Sequence, residues 1–324
     1  MPGPSVITIG NFDGPHVGHL RLLEQARAVA DRHGGASVVV LTFDPPPVRL
    51  LRPEAEPPRI TALDERIKRL QNAGADRVEI LRPDAAMLEQ TPQAFVDDLV
   101  RRYGPVGVVE GPDFRFGRHR SGSVETLREL GERHGFETQI VPPQRVVLSD
   151  LQTTAVSSSL VRWLIGRGRV ADAAICLGRA FSLRAPVVRG EQRGRSLGVP
   201  TANFDPQELA PYILPADGVY AAYAEVDGIS KPGTQARLIP AAVSVGVKPT
   251  FGRRSLTLEA HLLDVDQDLY GKTITLHFAR WLRDQYPFPG VDALRMQLQK
   301  DIAAVRRWSA QPASKTHSLA AASL

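Results

Sequence analysis

Residues 6–19 read V-I-T-I-G-N-F-D-G-P-H-V-G-H. A β-branched run, Val6 to Ile9, ends at Gly10, and a short segment then delivers His16 and His19 to the start of a helical pattern over Gly18 to His33. Strand, loop and helix in that order form the opening of a βα unit. The chain then repeats the unit. Ser37 to Phe43 is a buried strand closed by Asp44-Pro45-Pro46-Pro47, and Thr61-Ala62-Leu63-Asp64 fits a capping box that opens a helix stopping at Gly74. Arg77 to Leu81 is a third strand. Thr91 caps a helix with Pro92 at its first position and an end near Gly104. Val106 to Val109, Ser123 to His134 and Glu137 to Val141 continue as strand, helix and strand. This alternation predicts a mainly parallel, doubly wound α/β sheet with right-handed crossovers. Such sheets bind ligands beyond the carboxyl ends of their strands, so the loops after Ile9, Phe43 and Val109 hold the chemistry.

After about residue 180 the pattern changes. Strand-like runs at Phe181–Val188, Gly218–Val226, Ile239–Val245, Leu256–Val265 and Thr273–Phe278 follow one another without helices, which predicts a small antiparallel β-barrel. Val291 to Trp308 places Leu294, Leu298, Ile302 and Val305 at helical spacing, one face for packing on that barrel. The boundary falls after helices at Ser158–Ile165 and Val170–Ile175. The expected domains are therefore 1–177 and 178–308, with a small polar tail at 309–324 that frays.

Composition narrows the partners. The 324 residues are 43% hydrophobic and 23% charged, with a formal charge of +5 and a pI of about 9.5. The basic residues are scattered in ones and twos and aromatics are only 6%, so there is no stacking platform for a single strand of nucleic acid. Small anionic substrates suit the charge better than a polynucleotide. The single cysteine, Cys176, excludes an intramolecular disulfide and a cysteine metal cluster, and reads as a buried structural thiol. The apolar runs are too short to span a bilayer and the first residues lack the features of a signal peptide, so the cytoplasm is the expected compartment.

Two loops carry the candidate chemistry. In the first, exposed backbone N–H groups at a helix start favour phosphate, and His16 and His19 share one face, where two imidazoles can donate hydrogen bonds to it. Gly18 between them lets a ligand approach the backbone. An isolated pair of this kind also fits two helix-capping histidines, or a metal site, for which no third ligand is suggested nearby. Its position directly after the first strand favours nucleotide. Ser157 to Ser159 can cap a helix and turn hydroxyls toward phosphate, with Arg162 on the same turn, or can be plain capping. The second loop is Gly190-Glu191-Gln192-Arg193-Gly194-Arg195-Ser196-Leu197-Gly198-Val199-Pro200-Thr201-Ala202-Asn203. Its glycines permit a tight phosphate loop, its arginines add charge, and Thr201 and Asn203 offer oxygen ligands for Mg²⁺. It lacks the G-K-[ST] ending of a Walker A loop, and the alternative is a surface turn rich in Gly and Arg. Glu259, in an alternating strand, is either a general base for a hydroxyl or a solvent-facing residue.

H-x-G-H in this setting resembles the nucleotidylyltransferase superfamily, and the string G-N-F-D-G-x-H-x-G-H resembles the FMN adenylyltransferase module of prokaryotic bifunctional riboflavin kinase/FAD synthetases. Gly111-Pro112-Asp113-Phe114-Arg115-Phe116-Gly117 is similar to that family's flavin-side loop. Val156 to Arg162 is similar to its I-S-S-T-x-x-R segment. Gly198 to Asn203 resembles the G-x-P-T-A-N signature of riboflavin kinases, and blocks at Asp217–Tyr220, Ser244–Phe251, Leu256–Asp264, Asp268–Gly271 and Phe278–Arg283 follow in family order. The resemblance implies phosphorylation of riboflavin to FMN in the second domain and adenylylation of FMN to FAD in the first, with ATP as co-substrate and Mg²⁺ as cofactor. It assigns catalysis to His16, His19, Arg162 and Glu259. ATP in the first domain falls to Gly10, Asn11, Phe12, Asp13, Gly14, Gly18, Ser158 and Ser159, and the flavin to Asp113, Phe114 and Phe116. In the kinase, Gly190, Arg193, Gly194, Arg195, Gly198 and Pro200 take ATP phosphates, and Thr201 and Asn203 the Mg²⁺. Four positions depart from the family pattern: Pro46 replaces the histidine of F-D-P-H-P, Ser159 a threonine, Leu160 an arginine, and Gln285 a glutamate. The rival readings are a riboflavin kinase with a weak adenylyltransferase domain, a nucleic-acid-binding protein on an H-x-G-H scaffold, and a flavin-binding module without turnover.

Overall fold

Strand β1 (Ser5–Gly10) is buried from Ser5 to Ile9, because it runs through the middle of a sheet covered on both faces. The computed structural model describes residues 3–190, 194, 198–228, 237–250 and 253–311, with the backbone alone at 247–250 and 253–256. Contacts divide the chain into one unit of Met1–Val147 with Thr153–Ser158, and another of Leu148–Gln152 with Ser159–Leu324.

In the first unit the strands stand in the order β3-β2-β1-β4-β5, with β2 (Ser37–Phe43), β3 (Arg77–Leu81), β4 (Pro105–Glu110) and β5 (Glu137–Ile140) all paired in parallel. Alternate side chains feed two separate cores. Val6, Val38, Val40 and Val109 pack with Leu23, Ala26, Val29 and Ala30 of α1 (Val17–Arg32). Ile7, Ile9, Val39, Leu41 and Val108 face the other way. Beyond the short α2 (Val48–Leu51), α3 (Leu63–Asn72) and α4 (Ala85–Leu88), that second core receives Val96 and Leu99 of α5 (Pro92–Tyr103) and Leu127 and Leu130 of α6 (Val124–His134). Burial on both faces is why these strands read as continuous apolar runs rather than alternating ones. Growth of the sheet reverses between β1 and β4, which opens a crevice at their carboxyl ends.

The doubly wound sheet expected from the sequence is present. Two local readings differ. The N-cap of α3 is Ala62, with no side-chain capping bond, and Thr61, one residue earlier, gives its N–H to the carboxylate of Asp13. A hairpin of β6 (Arg145–Val147) and β7 (Thr153–Ala155) was not foreseen, since three-residue strands are too short to show a period.

The second unit holds a closed antiparallel barrel in the order β10-β11-β12-β9-β8-β13. Its strands are β8 (Phe181–Val188), β9 (Ala202–Phe204), β10 (Gly218–Val226), β11 (Ile239–Thr250), β12 (Arg253–Leu262) and β13 (Thr273–Arg283). Phe278 fills the interior between Phe181 and Tyr220. Outside, Ala221, Tyr223 and Ala242 pack against Ile302, Val305 and Trp308, so the terminal helix lies on β10 and β11 through the face its sequence marked. Further helices with described bounds are α7 (Ser158–Gly166), α8 (Val170–Leu177), α9 (Pro206–Leu209) and this terminal α10 (Val291–Ser309). Helix α8 packs on β8 and β13, and burial there pushes the Cys176 thiol up to about 11, keeping it protonated and inert.

Gly107 marks a close approach of helix to sheet in the first unit: a Cβ there would stand 2.6 Å from Cγ1 of the buried Val29. Gly107→Ala is expected to destabilise this unit by about 1–3 kcal/mol through overpacking. Val29→Ala in the same chain should recover part of that loss. Thermal melting of the single and double variants checks both effects, and no recovery would place the strain elsewhere.

Candidate nucleotide sites of the two units

The loop from Gly10 to His16 must change direction within a few residues, and Phe12 (φ 45) and Gly14 (φ 62) both adopt left-handed backbone to do so. At Gly14 a side chain is also excluded by space, because a Cβ would meet Ile60 at 2.6 Å. Side chains fix the loop from outside. The buried Asp13 carboxylate accepts the N–H groups of Ile60 (3.1 and 3.0 Å) and Thr61 (3.1 Å). The Asn11 carbonyl accepts from Arg66 Nη1 (2.7 Å) and Thr42 Oγ1 (3.0 Å), and the Asp13 carbonyl from Ser158 Oγ (2.8 Å). Arg66 is buried, and also donates to the Phe43 carbonyl and to Asp44 Oδ1.

On the far side of β1, backbone pairing with β4 stops at Ile7 and Val108. The N–H of Ile9 donates instead to Oε1 of Glu110 (2.6 Å), which is 3% exposed. Burial lifts the Glu110 pKa well above the ordinary carboxylate value, against N–H groups of Ile9 and Gly111 that favour the anion. A carboxyl group thus replaces a strand carbonyl where the sheet splays to form the crevice.

His16 is the N-cap of α1, and the cap is reciprocal. Its Nδ1 accepts from the His19 N–H (3.3 Å), while Nδ1 of His19 accepts from the His16 N–H (3.4 Å). Two Nδ1 acceptors leave the ring protons on Nε2 of both histidines. The rings stack 3.6 Å apart and 13° from parallel, with Phe12 edge-on to His19. Burial, and then the repulsion that a protonated His16 would add, hold the His19 pKa well below 6.5. Capping and phosphate recognition are therefore compatible: the cap aligns two neutral N–H donors at a helix start. Among the described residues no group of three or more His, Cys, Asp or Glu side chains could hold a metal ion.

The remaining first-domain candidates divide. Ser158 joins the loop through Asp13, whereas Ser159 and Arg162 lie on α7 within the second unit by contacts. Asp113 is exposed and Phe114 half-buried, but Phe116 is a core residue, stacked on Phe114 (5.4 Å) and beside Phe95. Phe116 backs Phe114 rather than offering a face of its own. Sequence reading passed over Arg66 and Glu110. Glu110 ends the apolar run of β4, but Arg66 lies in a helix already rich in charge, where nothing marks it as buried.

In the second unit, Thr201 and Asn203 are two residues apart and so project to one side of the chain. Asn203 stands opposite Glu259 in the register of β9 and β12, and Thr201 Oγ1 donates to Glu259 Oε2 at 3.3 Å. Thr201 and Glu259 thus line a cavity of about 340 Å³ together with Ser244, Gln285, Tyr286 and Leu298, with Asn203 paired opposite Glu259. Gly190 and Gly194 come close enough that a Cβ would collide with the Asn203 amide and the Val199 carbonyl respectively. Gly198 takes left-handed backbone (φ 75), and the carbonyl of the exposed Pro200 lies 2.8 Å from His261 Nδ1. Arg193 and Arg195 lie outside the described residues. Buried Asp301 of α10 receives Arg283 of β13 through Nε (2.9 Å) and Nη2 (2.7 Å), which fixes the helix as the cavity wall. Gln285 gives Nε2–H bonds to Ser244 Oγ (2.7 Å) and the Val245 carbonyl (3.0 Å), acceptors that a glutamate would face with a third oxygen. A hydroxyl, an amide and one carboxylate form an all-oxygen set with one negative charge. That composition fits Mg²⁺ shared with nucleotide phosphates.

Fold and sites together define a two-domain protein of the nucleotide-transferase class. The FAD synthetase family profile matches residues 1–160 and the riboflavin kinase profile residues 177–309. The chain is 34% identical over 94% of its length, and 92% of the relative's, to the bifunctional riboflavin kinase/FMN adenylyltransferase of Escherichia coli K12. It is 35% identical to that of Pseudomonas fluorescens, over 96% and 94%. A crystal structure from Streptococcus pneumoniae, described as a macrolide-efflux protein, matches with a TM-score of 0.82 at 31% identity over 95% of both chains. No helix among the described residues is long and apolar enough to cross a membrane. The chain belongs to the bifunctional riboflavin kinase/FMN adenylyltransferase family.

A group held neutral by the fold binds a proton more readily once unfolded, so its contribution to stability is present above the ordinary imidazole value and declines as pH falls below it. His19 is expected to keep its Nε2–H form and stay uncharged well below pH 6.5. Nitrogen-detected NMR of the ring checks this, and a titration midpoint at or above 6.5 would refute it.

Proposed function

We propose that the barrel unit transfers the γ-phosphoryl group of ATP to riboflavin, giving FMN and ADP, and that the sheet unit transfers AMP from a second ATP to FMN, giving FAD and pyrophosphate. The observation that carries the first half is the register of Glu259, which lines the cavity beside Thr201, with Asn203. As the terminal ribityl hydroxyl of riboflavin attacks the γ-phosphorus, Glu259 accepts its proton and the bond to the ADP oxygen breaks. Thr201 and Asn203 would hold Mg²⁺, which shields phosphate charge when bound. Gly190, Gly194, Gly198 and Pro200 shape the phosphate loop, and Arg193 and Arg195 add charge to it.

Adenylylation needs no general base, because the attacking FMN phosphate is already an anion. What it needs is stabilisation of the α-phosphate as pyrophosphate departs, and the paired Nε2–H groups of His16 and His19 are donors of that kind. Arg162, Ser158 and Ser159 support the phosphates. Gly10, Asn11, Phe12, Asp13, Gly14 and Gly18 shape the loop, and Asp113 and Phe114, backed by Phe116, receive the flavin. The profile start at residue 177 supports a boundary between the activities at 177/178. Scattered basic residues and phosphate-sized loops favour small substrates over nucleic acid, and we place the enzyme in the cytoplasm.

The activities are separable by mutation. Glu259→Ala or Thr201→Ala should abolish FMN formation and spare conversion of FMN to FAD. His16→Ala or His19→Ala should slow FAD formation by about 10²-fold and leave riboflavin phosphorylation unchanged, as for other lost transition-state donors. Incubation with riboflavin or FMN and Mg-ATP, followed by chromatographic separation of the flavins, reads all four variants. Equal loss of both reactions in a folded variant would contradict independent sites.

Pro46 favours a slow adenylyltransferase, since proline brings neither a side-chain donor nor an N–H to the loop after β2. Pro46→His should raise FAD formation, by about 10- to 100-fold if the regained contact acts only in the transition state. FMN formation should not change. An unchanged FAD rate in the folded variant would mean that the phosphate is held from elsewhere.

A further inference from the structure

The segment leading into α3 is held against the first loop by Asp13, whose carboxylate takes the N–H groups of Ile60 and Thr61. Arg59 immediately precedes that clamp. Its Nη2 lies 3.1 Å from Oδ1 of Asp44, the residue that ends β2 and opens the proline run, and Nη2 of Arg66 lies 3.1 Å from the same oxygen. The two arginines are not equivalent. Arg66 spends both terminal nitrogens, on the carbonyls of Asn11 and Phe43 and on Asp44, and its side chain is 6% exposed. Arg59 is 26% exposed and uses one nitrogen on one oxygen. A guanidinium has five N–H donors, and on Arg59 those not turned to Asp44 are open to solvent, and so to an arriving anion, without loss of an existing bond.

Charge and placement point the same way. The cluster of Asp13, Asp44, Arg59 and Arg66 is formally neutral, so without Arg59 it would face an incoming phosphate with a net negative charge. Residues 45–47 are all proline and offer no side-chain donor. Asp44 and the Asn11 carbonyl, bridged by Arg66, sit together at the carboxyl ends of β2 and β1, the edge where this sheet receives ligands. We propose that Arg59 binds phosphate oxygens of the reacting nucleotides in the first unit, on the side of the crevice that the proline loop leaves without a donor. This rests on the adenylyltransferase reading of that unit.

The alternative is that Arg59 only balances Asp44, and a double variant separates the two. Arg59→Gln is expected to raise KM for ATP or for FMN in FAD formation by about 10-fold or more, the scale of one charge-assisted hydrogen bond. The substrate affected tells which phosphate is bound. Riboflavin phosphorylation and the melting temperature should stay unchanged, and Arg59→Lys should keep part of the affinity. Adding Asp44→Asn to Arg59→Gln should not restore KM; full restoration would reduce Arg59 to a counter-ion and overturn the proposal, as would unaltered KM values for both substrates. Calorimetry with inorganic pyrophosphate tests Arg59 apart from turnover. If the wild-type chain made no FAD, the functional reading would fall, while weaker pyrophosphate binding by the Arg59→Gln chain would still support the anion site and equal binding would refute it.

Discussion

The Asp13 carboxylate, buried and bonded to the N–H groups of Ile60 and Thr61, is the constraint on which the first site is built. The reciprocal cap uses only the N–H groups of His16 and His19, so the bend that precedes it has to be held by other means. It is held instead through its carbonyls and its one acid. Arg66 and Thr42 take the Asn11 carbonyl and Ser158 takes that of Asp13, while Asp13 itself collects N–H groups from a different segment. Each bond to a charged partner contributes roughly 1.5–3 kcal/mol, and removing a buried partner strands its mate at similar cost. The loop is thus rigid without being self-satisfied, and the left-handed backbone at Phe12 and Gly14 is paid for by contacts that lie behind the binding face.

The barrel meets the same requirement by register. Glu259 is brought to Asn203 because β12 pairs with β9, and a slip of one residue would turn the carboxylate to the other face of the sheet. Closure of the barrel through β8 and β13 leaves little room for such a slip. Gly190 and Gly194 then let the loop lie directly on the Asn203 amide and the Val199 carbonyl, where any side chain would push it off. One unit positions its site by side-chain clamps on a loop, the other by cross-strand pairing and the absence of Cβ atoms.

Much of this was legible in the sequence, for identifiable reasons. Strands buried on two faces, such as Ser37–Phe43, are continuous apolar runs, and Leu294, Leu298, Ile302 and Val305 mark one face of a helix; both patterns are set by packing and survive into the structure. What escaped was decided by tertiary partners. Thr61 looks like a capping residue, but the cap falls one residue later on Ala62, and the burial of Phe116 against Phe114 has no mark in the sequence. Strand β9 hides in a string that reads as a phosphate loop, because Ala202–Phe204 becomes a strand only between β8 and β12. Arg66 and Glu110 are charged residues in the core, and nothing in one sequence tells a buried charge with partners from an exposed one.

The two sites differ in the way their proposed nucleophiles require. A ribityl hydroxyl is neutral and must lose a proton as it attacks, so its site needs a carboxylate close to the phosphates, with a cation to offset the two negative charges. The phosphate of FMN is already charged, so a second carboxylate at its site would only repel it. In the first unit Asp13 is bonded to N–H groups of the scaffold, and burial raises the pKa of Glu110. The groups left at the head of α1 are two uncharged imidazoles whose tautomer is fixed by the helix cap. On the proposed reading, neutral donors in fixed directions would stabilise charge as it moves from the α-phosphate to the leaving pyrophosphate without trapping either product as an ion pair. The product of the barrel thereby carries the one chemical group that makes it a nucleophile for a site without a base.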